Sequence, residues 1–298
     1  MPPLTGAALW LRLITIAALW GATYPLIRYL SAFLSPFAMA GLRGVLAAVV
    51  VFLFLWLRGG LGGITRQVAV ASLMLGTFAG VLPNTLIPMA LQRMEAAPAS
   101  LVQAAGPLII TLLAGLLLPG EKPTPRMLAG VGVGFLGMAL VVGSGGLGGG
   151  TMVGAALILA ATCSYAISTI WIRMAPRGPA AALALGQQAV SGVVSGGLAL
   201  AVDGPGVLVQ PTEVWVLGIF LAIFATAIPL TLFLGLATRA RAADAAMVGY
   251  IQPVFAILIA TAWLGEVPSW QVLAGGVVVL GGVAIVTTAR GGPAPASR

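Results

Sequence analysis

Histidine is absent from the chain, and cysteine occurs once, as Cys163. A zinc site built on histidine and cysteine ligands is therefore excluded, and a single cysteine cannot form an intrachain disulfide. The run Gly132–Gly137 fits G-x-G-x-x-G, but it lies inside an apolar helix with no preceding strand, which argues against nucleotide binding. We therefore predict neither a bound metal nor a cofactor.

Charge is also scarce, since 7% of the 298 residues are charged and 60% are hydrophobic. A soluble domain has about a quarter charged residues, so this composition predicts an integral membrane protein. No acidic residue falls in the middle of an apolar run, which argues against a proton relay or an ion site built on a buried carboxylate.

What the chain does have is a series of apolar runs of membrane-spanning length. We predict an all-α protein with ten transmembrane helices, at residues 9–30, 36–57, 67–91, 97–118, 125–143, 151–172, 180–201, 213–237, 243–264 and 269–289. The expected domains are a first five-helix unit at 1–143, a glycine-rich linker at 144–150, and a second five-helix unit at 151–298.

The two units share a repeated sequence, most clearly between residues 97–141 and 243–286. Each copy has a proline near the middle of its first apolar run, then Gly-Glu, then a second run that begins with Leu-Ala-Gly. The prolines are Pro107 and Pro253. Further matches pair Pro83 with Pro229, Trp20 with Tyr165, and Arg28 with Arg173. Nearly the whole first unit therefore recurs.

Basic residues predict the orientation of the helices. With a cytoplasmic N-terminus, the outer side and the outer halves of the helices hold only Arg28, Arg43 and Arg93 of the 14 basic residues. The net charge of +8 then reflects membrane topology, and we expect no nucleic-acid partner. Because five crossings is an odd number, the second unit has the opposite orientation, and both termini are cytoplasmic.

Inverted repeats are typical of secondary transporters, in which a central site opens to one side and then to the other. We expect prolines to form bends near the membrane centre, and we expect polar and aromatic residues at the same depth to line a cavity. The predicted hinges are Pro83, Pro107, Pro229 and Pro253. The predicted substrate-binding residues are Trp20, Tyr24, Asn84, Gln103, Tyr165, Tyr250, Gln252 and Arg43.

Several of these interpretations have alternatives. Arg43 could attract a substrate carboxylate, pair with Glu95, or extend outward along the helix. Buried serines and threonines could hydrogen-bond between helices instead of lining a cavity. The glycines Gly130, Gly134, Gly137, Gly275 and Gly282 predict close helix packing, either within one chain or between two, so monomer and homodimer both remain open.

The chain resembles the EamA branch of the drug/metabolite transporter superfamily. The resemblance rests on Ala18-Leu19-Trp20-Gly21, on Pro36 with Arg43, and on the duplicated order of Pro, Gly-Glu and Leu-Ala-Gly. It implies ten helices, cytoplasmic termini and export of metabolites through a central cavity. The chain is also similar to the YddG type, which exports aromatic and other amino acids. It departs from the family pattern at Tyr165, where tryptophan is common.

We therefore expect a bacterial inner-membrane exporter of a small amphipathic metabolite, an amino acid in the first instance. A multidrug, nucleoside or organic-cation exporter is the alternative, and an integral-membrane enzyme or a channel is less favoured. The expected partners are the small-molecule substrate and the lipid bilayer. Because no carboxylate lies at mid-membrane, we favour facilitated diffusion or exchange over proton coupling.

Overall fold

A computed structural model of the chain describes residues 6–118, 121–143, 149–174, 178–237 and 242–290. Within these ranges all regular secondary structure is helical, which confirms the all-α prediction. Most of the predicted linker, residues 144–148, lies outside the described residues. Ten of the described helices are long and apolar enough to span a membrane: α1 (Ala7–Leu30), α2 (Pro36–Leu57), α3 (Arg66–Leu91), α4 (Ala96–Leu117), α5 (Pro125–Gly143), α6 (Gly149–Ile172), α7 (Ala180–Val202), α8 (Thr212–Phe233), α9 (Met247–Leu264) and α10 (Trp270–Ala289).

Local sequence explains where several of these helices begin and end. Ser35 caps α2 by accepting a hydrogen bond from the Ala38 N–H at 3.1 Å, and Pro36 occupies the first turn, where no N–H is needed. Thr65 caps α3 in the same way. Gly265, of the second Gly-Glu pair, follows α9 with a left-handed φ of 70°, a conformation that glycine adopts without strain. Glycine therefore ends α9.

Four of the helices are interrupted near the depth at which we expect a site, and α9 is interrupted at its end. A turn at Ala22 divides α1, and α4 breaks between Gln103 and Gly106. Wider π-helical turns occur in α3 at Gly76–Val81, in α8 at Ile223–Ala227, and at the end of α9 at Ala260–Leu264. The first two of these turns occupy equivalent positions in the two repeats.

The four paired prolines differ in how they relate to these interruptions. Pro83 and Pro229 are each the second residue of the helical segment that follows a π-helical turn. Pro107 follows the break in α4, whereas Pro253 lies inside an uninterrupted segment, Ala242–Ile259. The bend at Pro107 is therefore not matched by a helix break at its repeat partner.

The packing of the ten helices follows the repeat. Helix α2 packs along α7, and α5 packs along α10, so each of these pairs joins one helix to its repeat equivalent. The contact of α1 with α9 is matched by that of α6 with α4, and the contact of α3 with α7 is matched by that of α8 with α2. Exchanging the two halves therefore preserves the contacts, as two inverted-topology repeats require.

Glycine permits a very close contact between α5 and α10. A Cβ atom at Gly282 would lie 2.4 Å from the backbone nitrogen of Gly134, and one at Gly137 would lie 2.5 Å from the nitrogen of Val279. Gly130 faces Gly282, and Gly137 faces Gly275, so each contact is the repeat equivalent of the other. The predicted glycine faces thus pack within one chain, and the G-x-G-x-x-G run is part of that packing surface.

We predict that Gly282→Ala lowers the thermal midpoint of the purified protein by several degrees, because the added methyl group would overlap backbone atoms of α5 and force α5 and α10 apart. Gly281→Ala is the matched control, since a Cβ at Gly281 meets no atom within 4 Å. Equal midpoints for the two variants would contradict this account of the α5–α10 contact.

Candidate functional site

Polar side chains from both repeats lie at matched depths in the bundle. We call the end of the bundle where α1 ends and α2 begins the clamp face. Thr23, Arg43, Asn84 and Gln103 each lie seven residues from the clamp-face ends of their helices, at Leu30, Pro36, Leu91 and Ala96. In the second repeat, Gln187 lies seven residues from the opposite face, at Ala180, and Tyr165 and Thr226 lie nine and eleven residues before Met174 and Ala237, the last described residues of their helices. At about 1.5 Å per residue, both sets reach the middle third of the membrane.

These side chains surround one cavity of about 260 Å³ between the two halves. Its size is close to the lower end of the range for small-molecule sites, about 300 to 1,000 Å³. Most of the lining residues have polar side chains, and both repeats contribute to the wall. The lining residues are Trp20, Thr23, Tyr24, Arg43, Ala79, Asn84, Ile87, Gln103, Tyr165, Gln187, Gln188, Thr226, Leu230 and Gln252.

Seven of the eight residues predicted to bind substrate lie in this wall: Trp20, Tyr24, Arg43, Asn84, Gln103, Tyr165 and Gln252. Tyr250 is not among the lining residues. Its hydroxyl is 2.6 Å from the hydroxyl of Thr287 on α10, so this tyrosine joins α9 to α10. The structure thus brings together distant parts of the sequence and leaves Tyr250 in a packing position.

The π-helical turn of α3 is held by side chains of the second repeat. Ser164 on α6 donates a hydrogen bond to the carbonyl oxygen of Phe78 at 2.6 Å. Gln187 on α7 donates to the carbonyl of Ala79 at 3.0 Å. A widened turn leaves backbone carbonyls without their usual helical partners, and in hydrocarbon such groups need partners from elsewhere in the protein. Here α6 and α7 supply them.

The π-helical turn of α8 is held by the repeat equivalents of those helices, α1 and α2. Thr23 donates to the carbonyl of Ala225 at 3.4 Å, and the Arg43 Nε–H donates to the Thr226 hydroxyl oxygen at 2.6 Å. Thr226 in turn donates to the carbonyl of Leu221, five residues earlier, at 2.9 Å. Both π-helical turns are therefore held by contacts that cross between repeats.

Arg43 has its hydrogen-bond partner in α8, and its side chain is 9% exposed. Glu95 is exposed at the clamp face and forms no ion pair with Arg43 within the described residues. Of the three alternatives that the sequence leaves open, pairing with Glu95 and outward extension are therefore not observed.

Carboxamides supply much of the remaining polarity. Asn84 donates to the Ser191 hydroxyl across the repeat interface at 3.2 Å. The Oε1 atoms of Gln103 and Gln188 are buried, and neither has a hydrogen-bond partner among the described protein atoms. A buried acceptor without a partner costs about 1 to 3 kcal/mol. A polar molecule in the cavity would offset that cost.

Thr226 and Gln188 are cavity residues that our predicted site does not include. Gln188 can be identified by aligning the two repeats. The segment Gly41–Arg43 corresponds to Gly186–Gln188, which places Gln188 at the position of Arg43. Thr226 has glycine, Gly80, at its equivalent position in the first repeat. Nothing in the sequence marks the π-helical turn that directs Thr226 toward Arg43.

Polar contacts also join the two repeats at the clamp face. The Arg28 Nε lies 3.5 Å from Glu266 Oε1, and the Arg28 Nη1 donates to the carbonyl of Leu91. Glu266 Oε2 accepts a hydrogen bond from the Ala96 N–H at 2.8 Å. We call this group, together with Tyr29, the clamp. It links α1, the α3–α4 connection and the α9–α10 connection.

Tyr29 extends the clamp to two further helices. Its hydroxyl donates to Glu213 Oε1 at 2.7 Å, at the start of α8, and its ring stacks on Trp263 of α9 with centroids 5.2 Å apart. Nearby, Ser35 donates to the carboxylate of Asp203 at the end of α7. Three acidic residues, Glu266, Glu213 and Asp203, thus contact α1 or the start of α2.

The pKa of the Glu266 carboxyl lies above its ordinary range, because burial disfavours the charged form. The neighbouring Glu95 carboxylate raises it further, whereas the Ala96 N–H and Arg28 oppose the shift. The folded protein therefore binds this proton more tightly than the unfolded chain does.

We predict that protonation of Glu266 stabilises the folded protein at low pH. This stabilisation is lost as the pH rises through the raised pKa of Glu266. Glu266→Gln removes the titration. The thermal midpoint of the wild type minus that of Glu266→Gln should therefore decrease as the pH is raised from about 4 to about 7. Thermal unfolding across that range measures the difference, and a relative midpoint that rises with pH would contradict the assignment.

The described lining residues of the cavity include a guanidinium, carboxamides, hydroxyls and aromatic rings. What the wall can do is donate and accept hydrogen bonds to a small polar molecule and present aromatic faces to its apolar part.

Comparison with known proteins gives matches along nearly the whole chain. The model of the EamA-like transporter family matches twice, at residues 7–143 and 152–288. The uncharacterised inner membrane transporter YedA of Escherichia coli strain K12 is 29% identical over 299 residues, covering 97% of this chain and 92% of YedA. YedA of Escherichia coli O157:H7 matches to the same extent. One crystal structure superposes with a TM-score of 0.69 at 21% identity, covering 97% of this chain and 100% of the other, and it shares the fold.

Proposed function

The chain belongs to the EamA-like transporter family, and we propose that it is a secondary transporter that exports small metabolites, amino acids among them, by alternating access through the central cavity. The observation that carries this proposal is the position of the cavity. It lies at mid-membrane between two inverted repeats, and both repeats contribute polar groups to its wall.

The cross-repeat contacts support a rocking mechanism. Each repeat holds the π-helical turn of the other through a few hydrogen bonds, so the two halves can rotate while the middle of the bundle stays connected. The clamp closes one face by contacts between the halves. Opening that face requires those contacts to break, and the near equivalence of the repeats provides a matching closure at the opposite face.

Bends in the paired helices provide sites for this movement. Pro83 and Pro229 follow the two equivalent π-helical turns, and Pro107 follows the break in α4. Proline removes a helical hydrogen bond, which lowers the cost of changing the bend angle. We assign Pro83, Pro107 and Pro229 to the hinges. Pro253 would act as a fourth hinge by flexing a helix that is continuous in this conformation.

We place the protein in the bacterial inner membrane, with both termini cytoplasmic and the clamp face toward the periplasm. The ten apolar helices and the description of YedA as an inner membrane transporter support the location. The orientation rests on the excess of arginine and lysine beside the helix ends at the other face.

Amino acids are the first substrates to test. The aromatic rings of Trp20, Tyr24 and Tyr165 offer apolar surface, and the carboxamides offer both donors and acceptors. A small molecule with one polar end and one apolar end fits such a wall. Nucleosides and organic cations are the alternative substrates within the same family.

We predict that proteoliposomes containing the purified protein take up at least one amino acid with saturable kinetics, faster than empty liposomes do. The panel should include the common L-amino acids, nucleosides and organic cations, since these compounds separate the alternative substrates. Asn84→Leu should lower the rate at least about tenfold, because it removes a cavity amide that contacts the opposite repeat. A protein that moves no solute in the panel would contradict the proposed function.

Alternating access predicts that one cavity position can be reached from both sides of the membrane. In a Cys163→Ala background, Ala79→Cys should react with a membrane-impermeant thiol reagent added from either side. A transported substrate should change the two rates in opposite directions. Val277→Cys, which is 72% exposed on the outside of α10, is the control for a lipid-facing position. Labelling from one side alone, with and without substrate, would argue against alternating access.

A further inference from the structure

The central cavity carries its charge on one repeat only. Arg43 is the single charged residue among the described residues that line the cavity. Its repeat equivalent, Gln188, lines the same cavity but is neutral. The two repeats are otherwise closely matched here, with π-helical turns at equivalent positions. A ligand therefore meets a cation at one side of the site and a neutral amide at the other.

Thr226 fixes the orientation of the Arg43 guanidinium. The Nε–H donates to the Thr226 hydroxyl at 2.6 Å, and that hydroxyl is itself held by the carbonyl of Leu221. The two terminal amino groups are not bonded to described residues, and they are not among the buried polar atoms that lack a partner. They therefore face the cavity, where they can bind a planar anion through two parallel hydrogen bonds.

The charge of Arg43 has no counter-ion among the described residues. A buried charge without a partner is costly, and an anion bound in the cavity would offset that cost. The nearest alternative, a carboxylate from the protein itself, is absent from the lining residues. The site is thus electrostatically incomplete until an anionic group enters it.

Two amide acceptors complete the pattern. The Oε1 atoms of Gln103 and Gln188 are buried without partners in the described part of the chain, and both residues line the cavity with Arg43. A rotation of either amide would turn its Oε1 toward the cavity, where it can accept a hydrogen bond from an N–H or O–H donor of a ligand. A molecule that carries a carboxylate together with a hydrogen-bond donor can therefore bind Arg43 and these amides at the same time.

We propose that Arg43, oriented by Thr226, is the carboxylate-binding residue of the transport site and restricts its substrates to small carboxylates that also carry a hydrogen-bond donor. This inference rests on the proposed function and narrows its substrate class. It excludes organic cations, which Arg43 repels, and it gives neutral analogues of the same shape a low affinity.

The test measures the binding of paired ligands to the wild type and to three variants. Each L-amino acid of the panel is paired with its own carboxamide, which keeps the size and the ammonium group but lacks the negative charge. Binding to the purified protein is measured by thermal shift and by calorimetry, so that it does not depend on transport. We expect the wild type to bind at least one amino acid about 100-fold more tightly than its carboxamide, because only the carboxylate can pair with the buried charge of Arg43.

The variants test the assigned residues. Arg43→Gln reproduces the residue of the other repeat, and it should weaken binding of the acid about 100-fold while changing that of the carboxamide less than about threefold. Arg43→Lys keeps the charge but lacks the planar guanidinium. Its affinity for the acid should therefore lie between those of the wild type and of Arg43→Gln. Thr226→Val removes the oxygen that positions Nε and should weaken acid binding about three- to tenfold. Thermal midpoints without ligand report whether each variant is folded.

The possible outcomes distinguish a failure of the inference about Arg43 from a failure of the proposed transport function. Equal affinity of the wild type for acids and carboxamides would overturn the inference, and that comparison needs no variant. An equal loss of both ligands in Arg43→Gln, or transport of organic cations alone, would also overturn it while leaving the transporter assignment intact. If no solute binds or moves, the proposed function itself fails.

Discussion

Hydrogen bonding of the backbone inside a hydrocarbon layer is the constraint on which this structure depends. Water is not available there, so each carbonyl that a helix releases must find a partner in the protein. The chain widens α3 and α8 into π-helical turns at equivalent positions, and side chains of the opposite repeat bind those turns. The polar groups needed for pairing are therefore concentrated at the interface between the repeats.

The cavity follows from this arrangement. Residues that hold the π-helical turns, such as Thr23, Arg43 and Gln187, also form its wall, so the contacts that connect the repeats surround the proposed substrate site. Glycine contacts between α5 and α10 lie elsewhere in the bundle and bring those two helices close enough to pack backbone against backbone. The α2–α7 pair is packed as closely, since a Cβ at Gly44 would lie 2.4 Å from the backbone nitrogen of Gly192, and these two helices also carry Arg43 and Gln187 of the cavity wall.

The fold could be predicted from sequence because hydrophobic run length and the repeat are properties of the chain itself. Seven residues of the cavity wall could be predicted because amides and aromatic rings are rare and costly at mid-membrane. Tyr250 shows the limit of that reasoning, since a buried hydroxyl can be satisfied by a neighbouring helix as well as by a cavity. Thr226 could not be found, because its role depends on a widened turn, and apolar sequences with ordinary and widened turns look alike. The partner of Arg43 likewise depends on which helices are adjacent.

The central claim is that substrate binds between the repeats, at the contacts that hold the two π-helical turns. An experimental structure with a transported substrate bound tests it most directly. We expect the substrate to lie in the central cavity, with polar atoms within hydrogen-bond distance of side chains from both repeats. A substrate bound outside this cavity, or contacting residues of one repeat alone, would contradict the account.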